Sequence, residues 1–364
     1  MPGREQGASA RGAFTPPGGP QNRSGMPPRQ APPQQPPLEQ GQPRRRRRWG
    51  AGRVLMTLLI VFLLFVGGVW IYLETSITRD AAIHDYAGRP PAASGTNWLI
   101  VGSDSRDGLT VADQQRLSTG DTQAAGAGKR TDTIMVAHIP DNSVRPTLLS
   151  LPRDSQVKIP GHGTSKINAA FSIGGAPLLL ETVEGATGLR MDHYAEIGFG
   201  GFANIVDAVG GVNMCIDKNM QDTMTGVNIT AGCQTLDGAK ALGFVRMRHS
   251  ASTPRSDLDR VANQRKFIGA LVSTIASPGT LLNPFTFFPL LSSAPGALTI
   301  DSGDHLHNLV GLALAMRGIS TGGVVTTTAP VTSGSAENWD PNKSKQLFDA
   351  LRGDTVIPDN VIFN

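Results

Sequence analysis

Charged residues gather at the ends of apolar runs in this chain. In WLIVGSDSR, Asp104 and Arg106 stand just past one such run, and in KRTDTIMVAHI, Arg130 and Asp132 stand just before another. LLSLPRDS ends on Arg153 and Asp154, and TSKINAAF, in the loop after it, supplies Lys166 and Asn168. Further on, FVRMR places Arg246 and Arg248 two apart, on a shared face if that stretch is extended. SDLDRVANQRKF has helical spacing and puts Asp257, Arg260 and Gln264 on one face. Singly, each residue reads as a solvated surface charge. Together they suit one chemistry. Guanidinium forks and a lysine grip the paired oxygens of a dense polyanion such as a phosphate. Aspartates without a nearby His or Cys suit a hard cation, Mg²⁺ or Mn²⁺, that takes oxygen ligands and shares them with substrate phosphates. Cation plus arginine clamp is the equipment of phosphoryl transfer, where the protein positions groups and neutralises developing charge.

Two other motifs offer catalysis and fail on context. Gly318 to Gly322 fits the GxSxG nucleophile elbow, which needs a strand before it and a helix after it. Here Leu306 to Met316 reads as helix and Val324 to Thr328 as strand, the reverse order. Gly198 to Ala203 fits the dinucleotide pattern GxGxxA between a strand and a helix, with Asp217 further on. The plainer reading, glycines that permit a tight strand-to-helix turn, is preferred. Cys215 and Cys233 are the only thiols, with seventeen residues between them. A disulfide there stabilises by about 3 kcal/mol in the chain-entropy model; two unpaired buried cysteines are the alternative. Neither a CxxC nor paired histidines at ligand spacing supports zinc.

The elements that must position these residues alternate. Trp98 to Val101, Thr133 to Ile139, Thr147 to Leu151, Tyr194 to Phe199 and Val212 to Ile216 have the apolar, β-branched character of strands. Leu178 to Gly185, Phe202 to Val209 and Leu258 to Ile275 have helical spacing, and Gly210-Gly211 is a helix stop. Such alternation argues for an α/β layered domain. Leu109 to Lys129 reads as a long polar loop, of the kind that is usually functional or mobile.

The net charge of +4 over 364 residues hides a split. Residues 1–53 hold ten arginines against two acids, so the remainder is acidic by four charges. Val54 to Leu73 contains no charge. At 1.5 Å per residue it is about 30 Å of helix, the thickness of a hydrocarbon core. A cleaved signal peptide is the rival reading, but it needs a small-residue cleavage site, and Leu73 is followed by Glu74, Thr75 and Ser76. Arg44 to Arg48 and Arg53 then orient the span: basic flanks stay in the cytoplasm, so the chain from Glu74 onward faces outward. The expected organisation is a disordered basic cytoplasmic tail (1–53), one transmembrane helix (54–73), a polar linker (74–96) and one extracytoplasmic domain (97–364). A cytosolic enzyme is excluded. Nucleic-acid binding loses its support, because the single polybasic patch abuts the span and aromatic residues make up only 5%.

The ordered series GSDSR, RTDT, LPRDS, KINAAF, HYAEIGFGGFANIVDAVGGV, TLDGAKALGFVRMR and DLDRVANQ, after one N-terminal span, closely resembles the LytR-CpsA-Psr family of cell-wall ligases. The resemblance runs from about Asn97 to about Asp354. It implies a layered α-β-α domain around a central mixed sheet. It also implies transfer of a glycopolymer from a polyprenyl-pyrophosphate carrier onto peptidoglycan, leaving a phosphodiester. On the matching positions, Asp104 and Asp132 take the role of metal ligands. Arg153, Arg246, Arg248 and Arg260 take catalytic roles, with Arg106, Arg130, Lys166, Asn168, Asp257 and Gln264 in substrate binding. The pattern departs at Asp259 and Asn263, where the family often has Gly and Arg; a lost cation and a gained acid would weaken the clamp or alter its substrate. The stretches Leu178 to Val183 and Phe267 to Ile275 are open to two readings, a lipid-tail groove or core packing. A non-catalytic regulator that binds lipid pyrophosphates, and a pyrophosphatase with water as acceptor, are the competing functions.

Overall fold

The computed structural model describes residues 50–106, 109–119, 129–222, 226–247, 257–332 and 337–363. The N-terminal tail and Arg248 lie outside them, and so does the side chain of Asp257. Helix α1 (Ala51–Ser76) contains the uncharged run, and no residue of its apolar window is buried. It is long and apolar enough to cross a bilayer. A single residue, Ile77, separates it from strand β1 (Thr78–Asp80). Then come β2 (Thr96–Ser103), α2 (Val111–Arg116), β3 (Thr131–Ile139) and β4 (Thr147–Leu151). A hairpin of β5 (Gln156–Ile159) and β6 (Gly163–Lys166) leads into α3 (Ile167–Thr187). After β7 (His193–Ile197) and α4 (Phe199–Ala208) come the short strands β8 (Val212–Ile216), β9 (Met220–Asp222), β10 (Val227–Ile229) and β11 (Gly232–Leu236). Helices α5 (Gly238–Arg246), α6 (Asp257–Ile275), α7 (Pro278–Leu281) and α8 (Pro284–Ala297) precede β12 (Leu298–Asp301), α9 (Leu306–Met316), β13 (Val325–Thr328) and α10 (Pro341–Arg352).

Seven strands form one mixed sheet in the order β1-β12-β7-β2-β3-β4-β13. The central strands are apolar on both faces because helices cover both. Leu99, Val101, Ile134, Val136, Leu149 and Leu151 pack on one face with α3 and with Leu347, Phe348 and Leu351 of α10. Trp98, Met135, Ala137 and Leu148 pack on the other, against Met316 of α9 and Ile268 of α6. A further core joins α4, α5 and α6 to β8–β11. The α/β layered class is therefore observed. Core packing accounts for both ambiguous apolar stretches, since Leu179, Leu180, Val183, Phe267 and Leu271 are all buried in these clusters.

Three local expectations need correction. Residues 74–96, expected as a linker, are bound to the domain. β1 pairs in parallel with β12, and Glu184, fully buried on α3, accepts hydrogen bonds from the Tyr86 hydroxyl (2.7 Å) and the Arg89 guanidinium (3.2 Å). Polarity misled here because the partners are themselves polar. The loop between Leu109 and Lys129 holds a short helix, α2, begun by a reciprocal capping box between Thr110 and Asp113. FVRMR is not extended at its first arginine, since Arg246 closes α5. Gly198 to Ala203 makes the expected tight strand-to-helix turn, Gly198 alone separating β7 from α4, and it also serves packing: a Cβ on Gly201 would lie 2.4 Å from the Ala297 carbonyl oxygen at the end of α8.

Candidate active site

The β2–β3 pairing builds the site. Gly102 faces Thr133 and Ser103 faces Thr131, so Asp132 is the extra residue of a β-bulge on β3. Bulges re-aim a side chain at the edge of a ladder. Asp132 is thereby set against the Arg153 guanidinium, its direct ion-pair partner, which emerges just past the end of β4. Asp104 follows β2 and is clasped to Arg130 through the backbone: its N–H donates to the Arg130 carbonyl (2.8 Å), and its Oδ1 accepts from the Arg130 N–H (2.7 Å). The Arg130 side chain is exposed.

The loop after β4 is folded back on the start of α3. Ile167 and Asn168 donate their N–H groups to the carbonyls of Ser155 (2.8 Å) and Arg153 (3.2 Å). Asp154 lies between two cations, with Lys166 Nζ at 2.7 Å and Arg153 Nε at 3.5 Å. It therefore orients both rather than standing ready as a base.

Arg246 approaches from the end of α5. Its guanidinium stacks over the Phe199 ring at 4.6 Å and donates to the Ser118 carbonyl at 3.2 Å. Burial pulls its proton affinity below that of an ordinary guanidinium; Asp132, Asp104 and Asp222 oppose this, while Arg106 reinforces it. Arg246 thus feels Arg106, Asp104 and Asp132, so that groups from three separate stretches of sequence share one electrostatic neighbourhood. An arginine whose charge is disfavoured by burial and by a second arginine is one that an anion would relieve. Arg106 is held there by a hydrogen bond to the Thr119 carbonyl (2.5 Å). The carbonyls of Ser118 and Thr119 and the Phe199 ring were not foreseen, because their roles depend on how the loop after α2 is folded back.

On α6, Arg260 and Gln264 are both buried. The Gln264 amide donates to the Val245 carbonyl (3.1 Å), beside Arg246, so it secures the end of α5. Asp259 and Asn263 line a cavity of about 200 Å³ with Lys218 and Lys266, between β8–β9 and α5–α6. Its walls include none of the residues around Arg246. The two departures from the family pattern thus open onto a neighbouring space.

Among the described residues, no group of three or more His, Cys, Asp or Glu side chains could cage a metal. The donor set of Asp104 and Asp132 instead fits a magnesium-like ion that keeps waters and completes its sphere with substrate oxygens. Cys215 and Cys233 are direct partners in the antiparallel β8–β11 ladder, and the structure joins their sulfurs.

Known proteins are similar to this chain. A probable cell wall biosynthesis protein, LcpB, of Corynebacterium glutamicum is 50% identical over 308 residues, covering 83% of this chain and 70% of its own. An Enterococcus faecalis protein named polyisoprenyl-teichoic acid–peptidoglycan teichoic acid transferase TagU is 32% identical over 228 residues, 62% of this chain and 71% of its own. Among solved structures, a LytR-Csp2A-Psr enzyme from Actinomyces oris superposes with a TM-score of 0.58 at 22% identity, covering 76% of this chain and 97% of that one. TagT bound to LI-WTA gives 0.53 at 22%, covering 74% and 92%. At such identity these two speak for the fold alone. The model of the LytR_cpsA_psr family matches residues 74–353, beginning at the last turn of α1 and running through every strand of the sheet, and on that extent the chain belongs to this family.

Proposed function

We propose that this protein is a membrane-anchored phosphotransferase that moves a glycopolymer from a polyprenyl-pyrophosphate carrier onto peptidoglycan during cell-wall assembly. The observation that carries the reading is the surroundings of Arg246, whose charge is acted on by Arg106, by Asp104 and by Asp132, the extra residue of the β3 bulge. The relatives' names, with a polyisoprenyl-linked donor and a peptidoglycan acceptor for TagU, agree with it. On this reading α1 spans the membrane with the arginine-rich tail in the cytoplasm and the domain outside. The carrier lipid and the anchor then share one bilayer, and the outer location favours the Cys215–Cys233 disulfide.

Each group has a role. The forks of Arg106, Arg153 and Arg246 bind the pyrophosphate oxygens and hold the glycan-bearing phosphorus in place. Asp104 and Asp132 would hold Mg²⁺ or Mn²⁺, which when bound withdraws charge from the same oxygens. Arg153 positions Asp132 by ion pairing, and Asp154, itself paired with Lys166, holds Arg153. A sugar hydroxyl of peptidoglycan attacks the phosphorus and loses its proton to solvent, the bridging P–O bond breaks so that polyprenyl phosphate leaves, and the arginines stabilise the charge that moves onto the leaving oxygen.

The test uses the full chain in lipid nanodiscs with Mg²⁺ and a labelled polyprenyl-pyrophosphate glycan, with and without peptidoglycan. Label joined to peptidoglycan is the expected result. Release of free glycan phosphate in both conditions would make the protein a pyrophosphatase. Binding without any bond cleavage would make it a regulator.

A further inference from the structure

From Phe267 to Ile300 the chain carries no Asp, Glu, Lys, Arg or His, thirty-four residues in a protein where charged residues make up 17%. This stretch is not all core. Leu282 is 82% and Phe285 87% exposed, and Leu281 and Phe288 are also exposed. These residues belong to the helical hairpin α7–α8, whose outer face therefore has no partner within the domain.

Topology says where that face lies. β1 and β12 are parallel neighbours at the edge of the sheet. α1 enters β1 through Ile77 alone, and α8 enters β12 with no residue between. Two helices that run into adjacent parallel strands descend from the same edge side by side. The contact is made: the rings of Phe65 on α1 and Phe288 on α8 meet edge-on, with centroids 6.3 Å apart. Phe65 lies eight residues before Leu73, the last of the uncharged run, which places it about 12 Å inside that run at 1.5 Å per residue. A second tie fixes the angle, since the Glu74 carboxylate accepts from the Leu306 N–H (2.9 Å) at the start of α9 and pairs with His305.

The polar groups of the hairpin behave as they must in hydrocarbon. Hydroxyls of Thr274, Thr280, Thr286, Ser292 and Ser293 each donate to a carbonyl of the same segment, at 2.7 to 3.2 Å. Asn283 Oδ1 and Ser277 Oγ accept the backbone N–H groups of Phe285 and Thr280 at the helix starts. In water such bonds are optional; among acyl chains, unsatisfied groups are excluded.

We propose that the α7–α8 hairpin is a membrane-seated face, with Leu281, Leu282, Phe285 and Phe288 inserted among the acyl chains of the leaflet beside α1. At fourteen residues, α8 is about 21 Å long and too short to cross, so the hairpin dips and returns. The seat lies close to the chemistry. Gly201 of α4 packs on Ala297 at the end of α8, and Phe199 at the start of α4 lies under Arg246. One helix separates the clamp from the lipid, so a pyrophosphate headgroup need not leave the membrane surface to be gripped. The proposal rests on the reading of α1 as a membrane span.

The full chain is reconstituted in nanodiscs, with single nitroxide labels on Phe285→Cys, on Ile60→Cys in α1 and on Lys345→Cys in α10. The native thiols are joined to each other, and all three positions are exposed, so the substitutions leave the core intact. Collision with oxygen against collision with a water-soluble nickel chelate reports the surroundings of each label. The expected result is a several-fold oxygen preference at 285 and 60 and a nickel preference at 345. Nickel preference at 285 with oxygen preference at 60 overturns the membrane seat and leaves the anchor standing. Protection from both reagents at 285 means cover by protein, such as a second copy, and also overturns it. Nickel preference at 60 overturns both readings.

Discussion

Asp132 owes its position to one extra residue in a ladder, and two consequences can be measured there. Asn at this position keeps the shape but loses the ion pair to Arg153 and half of the proposed metal site. Asp132→Asn is expected to lower the rate of glycan transfer on the order of 100-fold, with raised Mg²⁺ that restores little of it. Arg246 is a sharper case, because its guanidinium is used as a plane as well as a charge, stacked on Phe199. Lysine keeps the charge and loses both the fork and the stacking. Arg246→Lys should retain pyrophosphate binding and lose about tenfold in transfer, read as kcat against KM for the donor lipid.

At the scale of elements, the fold uses glycine and sulfur to bring helices and strands close. The α4–α8 contact leaves no room at Gly201, where both surfaces are backbone and neither can yield cheaply. Gly201→Ala should cost about 1–3 kcal/mol, measured as a lowered midpoint of thermal unfolding. The β8–β11 ladder is closed by Cys215 and Cys233; replacing both with Ser should cost about 3 kcal/mol, and a reductant should produce a similar loss in the parent protein and none in the variant. These elements were unequally legible. Thr147–Leu151 and Val212–Ile216 could be bounded to the residue, because apolar and β-branched runs flanked by polar residues leave little choice. β1 could not, since Thr-Arg-Asp has no strand pattern and pairs only because β12 presents an open edge. The end of α5 was misread because Gly238 and Gly243 mask a helix whose signal lies in tertiary packing, a Cβ on Gly243 falling within 1.8 Å of Val227. The site was legible as charges at strand ends, and illegible wherever a backbone carbonyl is the partner, as Ser118 is for Arg246.

For the whole molecule, one buried histidine ties the sheet to the turn that follows α10 and makes stability depend on acid. His138 on β3 has Nδ1 2.9 Å from Asn97 Oδ1 and Nε2 2.9 Å from Asp354 Oδ1. Desolvation depresses its pKa, against the raising effects of Asp354, Asp141 and Asp192. With a depressed folded value, the unfolded chain takes up its proton first, so this contribution is intact above about pH 6.5 and drains away as pH falls toward the folded value. Unfolding midpoints should drop as pH falls below about 6.5, more steeply in the parent than in His138→Gln. Anchoring sets a different limit. A chain that passes from α1 to β1 through Ile77 alone has no tether, and one residue spans at most about 3.6 Å even fully extended. On the proposed reading of α1 as a membrane span, the candidate site therefore sweeps a thin shell at the bilayer surface rather than a volume above it. Older wall layers would lie outside that radius, so the proposed transfer would mark the newest glycan strands, those still close to the membrane where they were made.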